Sequence, residues 1–247
     1  MDLLADFNAA QIAFAFIAAF GAAFVRGLTG FGMAILLVPV LALALSPVEA
    51  VLVVNGMSVL IGLSEIRRLV RGAEASAWWI SAACIALTPL GLLALAATGS
   101  DLARLIIALI ALSAFIAILL PHRGEGKPKA ITTAGVGAIS GLMTGYAGMP
   151  GPPVVPYYVG REMKRETAKA SMLLIFTIAG AAGVVSGMAA GLLSWSHTTL
   201  SVLLFPATLI GNALGAKASG KISDPVWRTC VAAVLGGAAL AALVRLF

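Results

Sequence analysis

Long apolar runs separated by short polar and basic clusters make up this sequence. Residues 75–100, 130–160 and 170–216 contain no Asp, Glu, Lys or Arg, and between Phe7 and Val48 the lone charge is Arg26. A membrane helix needs about 20 apolar residues, so the run 170–216 has length for two crossings. None of the runs alternates polar and apolar positions as the strands of a membrane barrel do, which excludes that class. The pattern predicts an all-α polytopic membrane protein.

Local signals place the helix starts. Ser46-Pro47-Val48-Glu49 reads as N-cap, first helical position and third position of a capping box, opening a helix that runs to Arg67, Arg68 and Arg71. A helix over Trp78–Thr98 with Pro89 inside it follows. The next is capped by Ser100-Asp101 and ends near Pro121. Glu49, Glu166, Asp101 and Asp224 read as first-turn residues of helices in preference to proton carriers. Ala9–Val25 reads as a retained helix, since no basic region of a cleavable signal precedes it.

Two apolar runs are interrupted. Gly27–Gly32 reads GLTGFG, and Gly141–Gly151 reads GLMTGYAGMPG. Irregular backbone at membrane depth is tolerated only where protein buries it or where it lines a wet cavity. Paired breaks in corresponding halves of a chain point to the binding site of a transporter. The halves do correspond: Pro39 and Pro156, Glu49 and Glu166, and Pro89 and Pro206 are each 117 residues apart, and Thr29-Gly30-Phe31 parallels Thr144-Gly145-Tyr146. The expectation is an internal duplication, with repeats over 1–121 and 130–247 joined by a polar, basic linker over 122–129.

Composition and charge sharpen this picture. Of 247 residues, 61% are hydrophobic and 11% charged, far from a soluble domain. The net charge of +6 does not indicate nucleic acid, because 13 of the 16 Lys and Arg lie in the loops 65–74, 122–129, 161–169 and 217–228. Basic loops are retained in the cytoplasm. The segments near Ser46, Ser100 and Ser194 and both termini then face outward. Each half becomes a glycine- and proline-broken hairpin plus three transmembrane helices, an odd number of further crossings, so the two repeats are inverted. Trp78, Trp79, Trp195 and Trp227 suit interfacial belts. Cys84 and Cys230 lie in apolar runs as packing residues, no spacing suits a metal, and no cofactor is expected.

The breaks supply the candidate chemistry. A helix that begins at membrane depth presents unpaired N–H groups and the positive end of its dipole, which favours anions. Arg26, Gly27, Thr29, Gly30, Phe31 and Gly32 at the first break, and Thr144, Gly145, Tyr146, Gly148, Gly151 and Tyr157 at the second, are the candidate substrate-binding residues. Asn55, with Ser58, is a candidate for lining the path. Arg26 complements an anion directly or marks the cytoplasmic boundary. The glycines admit a ligand to the backbone or allow helices to pack closely. An integral membrane enzyme is the reading from a different class, but His122 and His197 have no recognisable nucleophile with them.

GLTGFGMAILLVP after a first apolar run, GLMTGYAGMPGPPVVP in the second half, the basic loops and the length resemble the TauE/SafE family of sulfite exporters. The resemblance covers nearly the whole chain. It falls on Gly27, Gly30, Phe31, Gly32 and Pro39, and on Gly141, Gly145, Gly148, Gly151 and Pro156. It implies a multi-pass protein of the bacterial inner membrane that exports sulfite, sulfoacetate or a related organosulfonate, and not an enzyme. The expected partners are the bilayer, a small sulfur-containing anion and, for coupled transport, H+ or Na+. A homo-oligomer is left open. A transporter or channel for another small anion is the alternative. The run Met149-Pro150-Gly151-Pro152-Pro153 departs from the first copy and makes the second break more rigid.

Overall fold

The computed structural model describes residues 4, 6–29, 32–119, 129–159, 161, 163–218, 240 and 244. Among these the chain forms nine helices and no strand: α1 (Ala9–Thr29), α2 (Met33–Leu41), α3 (Pro47–Gly72), α4 (Ala75–Ala96), α5 (Ser100–Leu119), α6 (Ala130–Ala147), α7 (Gly151–Val159), α8 (Arg165–Ala189) and α9 (Trp195–Ala218). By length and composition, α1, α3, α4, α8 and α9 are each able to cross a membrane. Large apolar side chains lie on the outside, with Ile17, Trp79, Ile131 and Trp195 each about three-quarters exposed. Lipid is the solvent that suits such a surface, and the chain is a multi-pass membrane protein.

The capping box forms as the sequence predicts. Ser46 Oγ accepts from the Glu49 N–H at 3.3 Å, and the Ser46 N–H donates to Glu49 Oε2 at 2.7 Å. The α4 start differs from expectation. It begins at Ala75, not Trp78, because Glu74 holds an extended N-cap conformation while its N–H donates to Ser171 Oγ on α8 at 2.9 Å. Ser100 is already helical in α5.

Small residues set the helix pairings. The principal contacts join α1 to α9, α4 to α6 and α3 to α8, with α4 also against α8 and α3 against α9. A Cβ on Gly27 would strike the Asn212 carbonyl of α9, and one on Gly215 the Phe24 carbonyl of α1. At the α4–α6 crossing, Gly91 faces the Leu142 carbonyl and Gly145 the Thr88 carbonyl. Gly62 leaves room for Thr177 where α3 crosses α8. Inside a bilayer, where burial of apolar surface gives no drive for helices to associate, such close approach supplies the packing contact.

α2 and α7 are nine residues each, about 13 Å long at 1.5 Å per residue, against a hydrocarbon core of about 30 Å. Neither crosses alone. Seven of the nine α2 residues are buried, so this half-helix sits inside the bundle. Its far end returns towards the start of α1: Gln11 Nε2 donates to the Ala44 carbonyl at 2.8 Å. Arg104 of α5 caps the same turn, donating from Nε to Ala42 O at 2.6 Å and from Nη2 to Leu45 O at 3.3 Å. Ser194 Oγ donates to Asp6 at 2.8 Å, and His197 Nε2 lies 4.0 Å from Glu49 Oε1. The start of α1 and the segments near Ser46, Ser100 and Ser194 therefore share one end of the bundle.

Candidate functional site

Each break turns on a glycine in the left-handed region. Gly32, at φ 95°, precedes α2, and Gly148, at φ 65°, ends α6. A side chain at either position would be strained. At Gly148 the helix closes in an αL turn, with the Gly148 N–H bonded to Thr144 O at 2.9 Å and the Met149 N–H to Met143 O at 3.3 Å. The two helix starts differ chemically. α2 has no side-chain cap at Gly32, and its first positions, Met33, Ala34 and Ile35, all carry N–H groups. α7 opens Gly151-Pro152-Pro153, and its prolines have no N–H to offer.

Both breaks open onto one cavity. Arg26 of α1 lines it, with Gly32 and Met33 from the first break and Met149, Pro150 and Gly151 from the second. α3 contributes Ser58, Gly62 and Glu65, and α8 contributes Phe176 and Thr177. The cavity volume is about 60 Å³, room for a few water molecules. The space suits an ion of a few heavy atoms. Ser58 Oγ donates to Val54 O at 2.9 Å and Thr177 Oγ1 to Leu173 O at 2.7 Å, so both hydroxyls spend their protons on their own helices. Arg26 makes no ion pair within 4.0 Å among the described residues. The positive groups at the cavity are its guanidinium and the N–H groups at the start of α2, and both favour negative charge.

The structure brings Arg26, Gly32 and Gly151 together and puts other candidates elsewhere. Gly27 packs on α9 and Gly145 on α4. Gly148 faces Val38 and Val51. Asn55 is buried against Gly183 of α8, and its Nδ2 has no hydrogen-bond partner among the described residues. Thr144 is buried and donates to Ser140 O at 2.7 Å. The Tyr146 hydroxyl donates to Thr98 Oγ1 at 3.3 Å, and the Tyr157 hydroxyl pairs with Thr133 Oγ1 at 2.8 Å. Thr29 closes α1. Gly30 and Phe31 lie outside the described residues, as do His122, Asp224, Trp227 and Cys230.

Beyond α7 a charged network ties the second hairpin down. Arg161 donates from both terminal nitrogens to Glu74, each at 2.7 Å, and its guanidinium lies 5.3 Å from the Tyr157 ring and 5.9 Å from the Tyr158 ring. Ser76 Oγ donates to Glu74 Oε2 at 2.8 Å and lies 2.7 Å from the Tyr158 hydroxyl, which therefore donates to Ser76. The paired hydrogen bonds from Arg161 hold the Glu74 carboxyl below its usual range, and Glu74 in turn holds Arg161 above its own.

Glu65, Phe176, Thr177 and Arg161 are absent from the residues singled out in the sequence. One signal for Glu65 was present. Ser58, Gly62, Glu65 and Leu69 recur at helical spacing on α3, and Ser58 was a candidate.

Comparison with curated proteins and with solved structures gives no match. The family model described as "Sulfite exporter TauE/SafE" matches residues 15–242, most of the chain, and this protein therefore belongs to the TauE/SafE sulfite exporter family.

Proposed function

We propose that this protein is a secondary transporter that exports a small sulfur-containing anion, sulfite, sulfoacetate or a related organosulfonate, across a bacterial inner membrane. Family membership supports the sulfur chemistry. The observation that carries the site is the convergence of Arg26, Gly32 and Gly151 on one cavity. A cation, the uncapped start of α2 and room for a small ion are together the elements of an anion site. The α7 prolines make the first break the main source of backbone donors. Gly27 and Gly145 then act by letting helices approach, while Arg26 and the Gly32 turn meet the anion.

Inverted repeats over 1–121 and 130–247, joined by the linker 122–129, account for the pairings. Exchanging α1 with α6, α3 with α8 and α4 with α9 turns the α1–α9 contact into α6–α4 and leaves α3–α8 unchanged. In this reading the end bearing Ser46, Asp101 and Ser194 faces outward, and the end bearing Glu74 and Arg161 is cytoplasmic.

The test is thermal stabilisation of purified protein by sulfite, sulfate, thiosulfate, sulfoacetate, taurine, acetate and chloride. A ligand bound only by the folded state raises stability with the logarithm of its concentration over its dissociation constant. Selective stabilisation by sulfite or a sulfonate, lost in Arg26→Ala, is the expected result. Indifference to every anion refutes the anion reading.

A further inference from the structure

A carboxylate in the wall of an anion cavity poses a charge problem. Arg26 on α1 and Glu65 on α3 line the same space with opposite formal charges. Ionised, Glu65 offsets Arg26 and repels an incoming anion. Protonated, it leaves the Arg26 charge in force and offers an O–H donor. On its own helix Glu65 meets Arg68 at 2.8 Å, but Arg68 is 64% exposed, and so solvent-facing a pair is weakly held. The facing groups are Met33, Ala34 and Ile35 from α2, Phe176 and Thr177 from α8, and Met149 and Pro150 from the second break. None of these ionises in the working range. Among the described lining residues, the charge of the cavity is set by Arg26 and Glu65, with Arg68 at the rim.

We propose that Glu65 is a proton-binding residue of this site, so that one proton and one monoanion occupy the cavity together. This inference rests on the anion-transport reading above. The Glu65 carboxylate takes a proton from solution on the open side, forming an O–H bond, and no bond within the anion is made or broken. Empty, the Arg26–Glu65 pair sums to zero. Loaded, the guanidinium, the neutral carboxylic acid and the monoanion also sum to zero. A cavity that carries no added charge when filled avoids the cost of moving charge through hydrocarbon.

The test is isothermal titration of methanesulfonate into the purified protein from pH 5 to pH 8, in pairs of buffers with different ionisation heats. Methanesulfonate stays fully ionised over this range, whereas sulfite titrates near neutrality. Wherever the empty site holds Glu65 as the carboxylate, wild type should take up one proton per anion, and the apparent Kd should weaken roughly tenfold per pH unit. Glu65→Gln, which imitates the protonated side chain, should bind with no proton uptake and a flat pH profile. Binding by wild type without proton uptake overturns the proposal, and so does an unaltered pH profile in Glu65→Gln. If Glu65→Gln does not fold, the wild-type proton count decides alone. Absence of binding by wild type at every pH overturns the anion reading itself and the proposal with it.

Discussion

Replacing Arg161 with Ala removes the bond between the end of α7 and the α3–α4 turn, together with both ring contacts. The carboxylate side is 31% exposed and the guanidinium 14%, so the two charge-assisted hydrogen bonds fall below the about 1.5–3 kcal/mol each that sheltered ones contribute. Two ring contacts at the protein edge add roughly 0.5–1 kcal/mol each. The expected loss is about 2–3 kcal/mol. For a chain of this size that is a fall in Tm of roughly 5–10 °C, measurable by thermal unfolding in detergent. Arg161→Lys keeps the charge without the paired geometry and should recover about half. The pH dependence has a definite sign. Glu74 titrates lower in the folded protein than in the unfolded chain, so its contribution is complete above the ordinary carboxylate pKa of about 4.3 and is lost as the pH falls through the depressed value. Arg161 titrates higher when folded, so its share fades only far into alkali. The gap between wild type and Arg161→Ala should be full near pH 7 and close in acid. A Tm unchanged at pH 7, or Lys and Ala variants that are indistinguishable, would refute the reasoning.

Gly145→Val should prevent assembly or cost several kcal/mol, since its side chain would meet the Thr88 carbonyl and the backbone of Leu92; yield of monodisperse protein and its melting temperature report this. Gly151→Ala should be tolerated within about 1 kcal/mol, because a Cβ there meets Phe176 at 3.7 Å, an ordinary contact. Arg104→Met removes the donors to Ala42 O and Leu45 O. It should cost about 2 kcal/mol and raise hydrogen exchange at the end of α2 before that of α3.

Much of the fold was legible because membrane helices announce themselves locally. Charge-free runs marked the spans, and Ser46-Pro47-Val48-Glu49 specified both hydrogen bonds of its capping box. The breaks were legible too, since Gly32 and the Gly148–Gly151 turn interrupt runs that would otherwise be continuous helix. What a glycine serves was not. Gly27 and Gly32 stand in one motif, yet the first meets the backbone of α9 and the second borders the cavity. Only the partner helix, distant in sequence, decides between those roles. The same holds for Glu74, whose N–H finds its partner on α8, 97 residues away, and which moved the start of α4 upstream of Trp78. Arg26 was conspicuous as the lone charge in its run, but that Glu65 shares its cavity depends on how α1 and α3 converge.

The central claim is that a small sulfur anion passes through the cavity between the two breaks. The direct measurement is flux of radiolabelled sulfite in proteoliposomes carrying wild type, Arg26→Ala or Gly151→Leu, which approach the cavity from opposite breaks. Flux by wild type above that of empty vesicles, lost in both correctly folded variants, is the result expected here. Flux that survives both substitutions would place the path elsewhere and contradict the account.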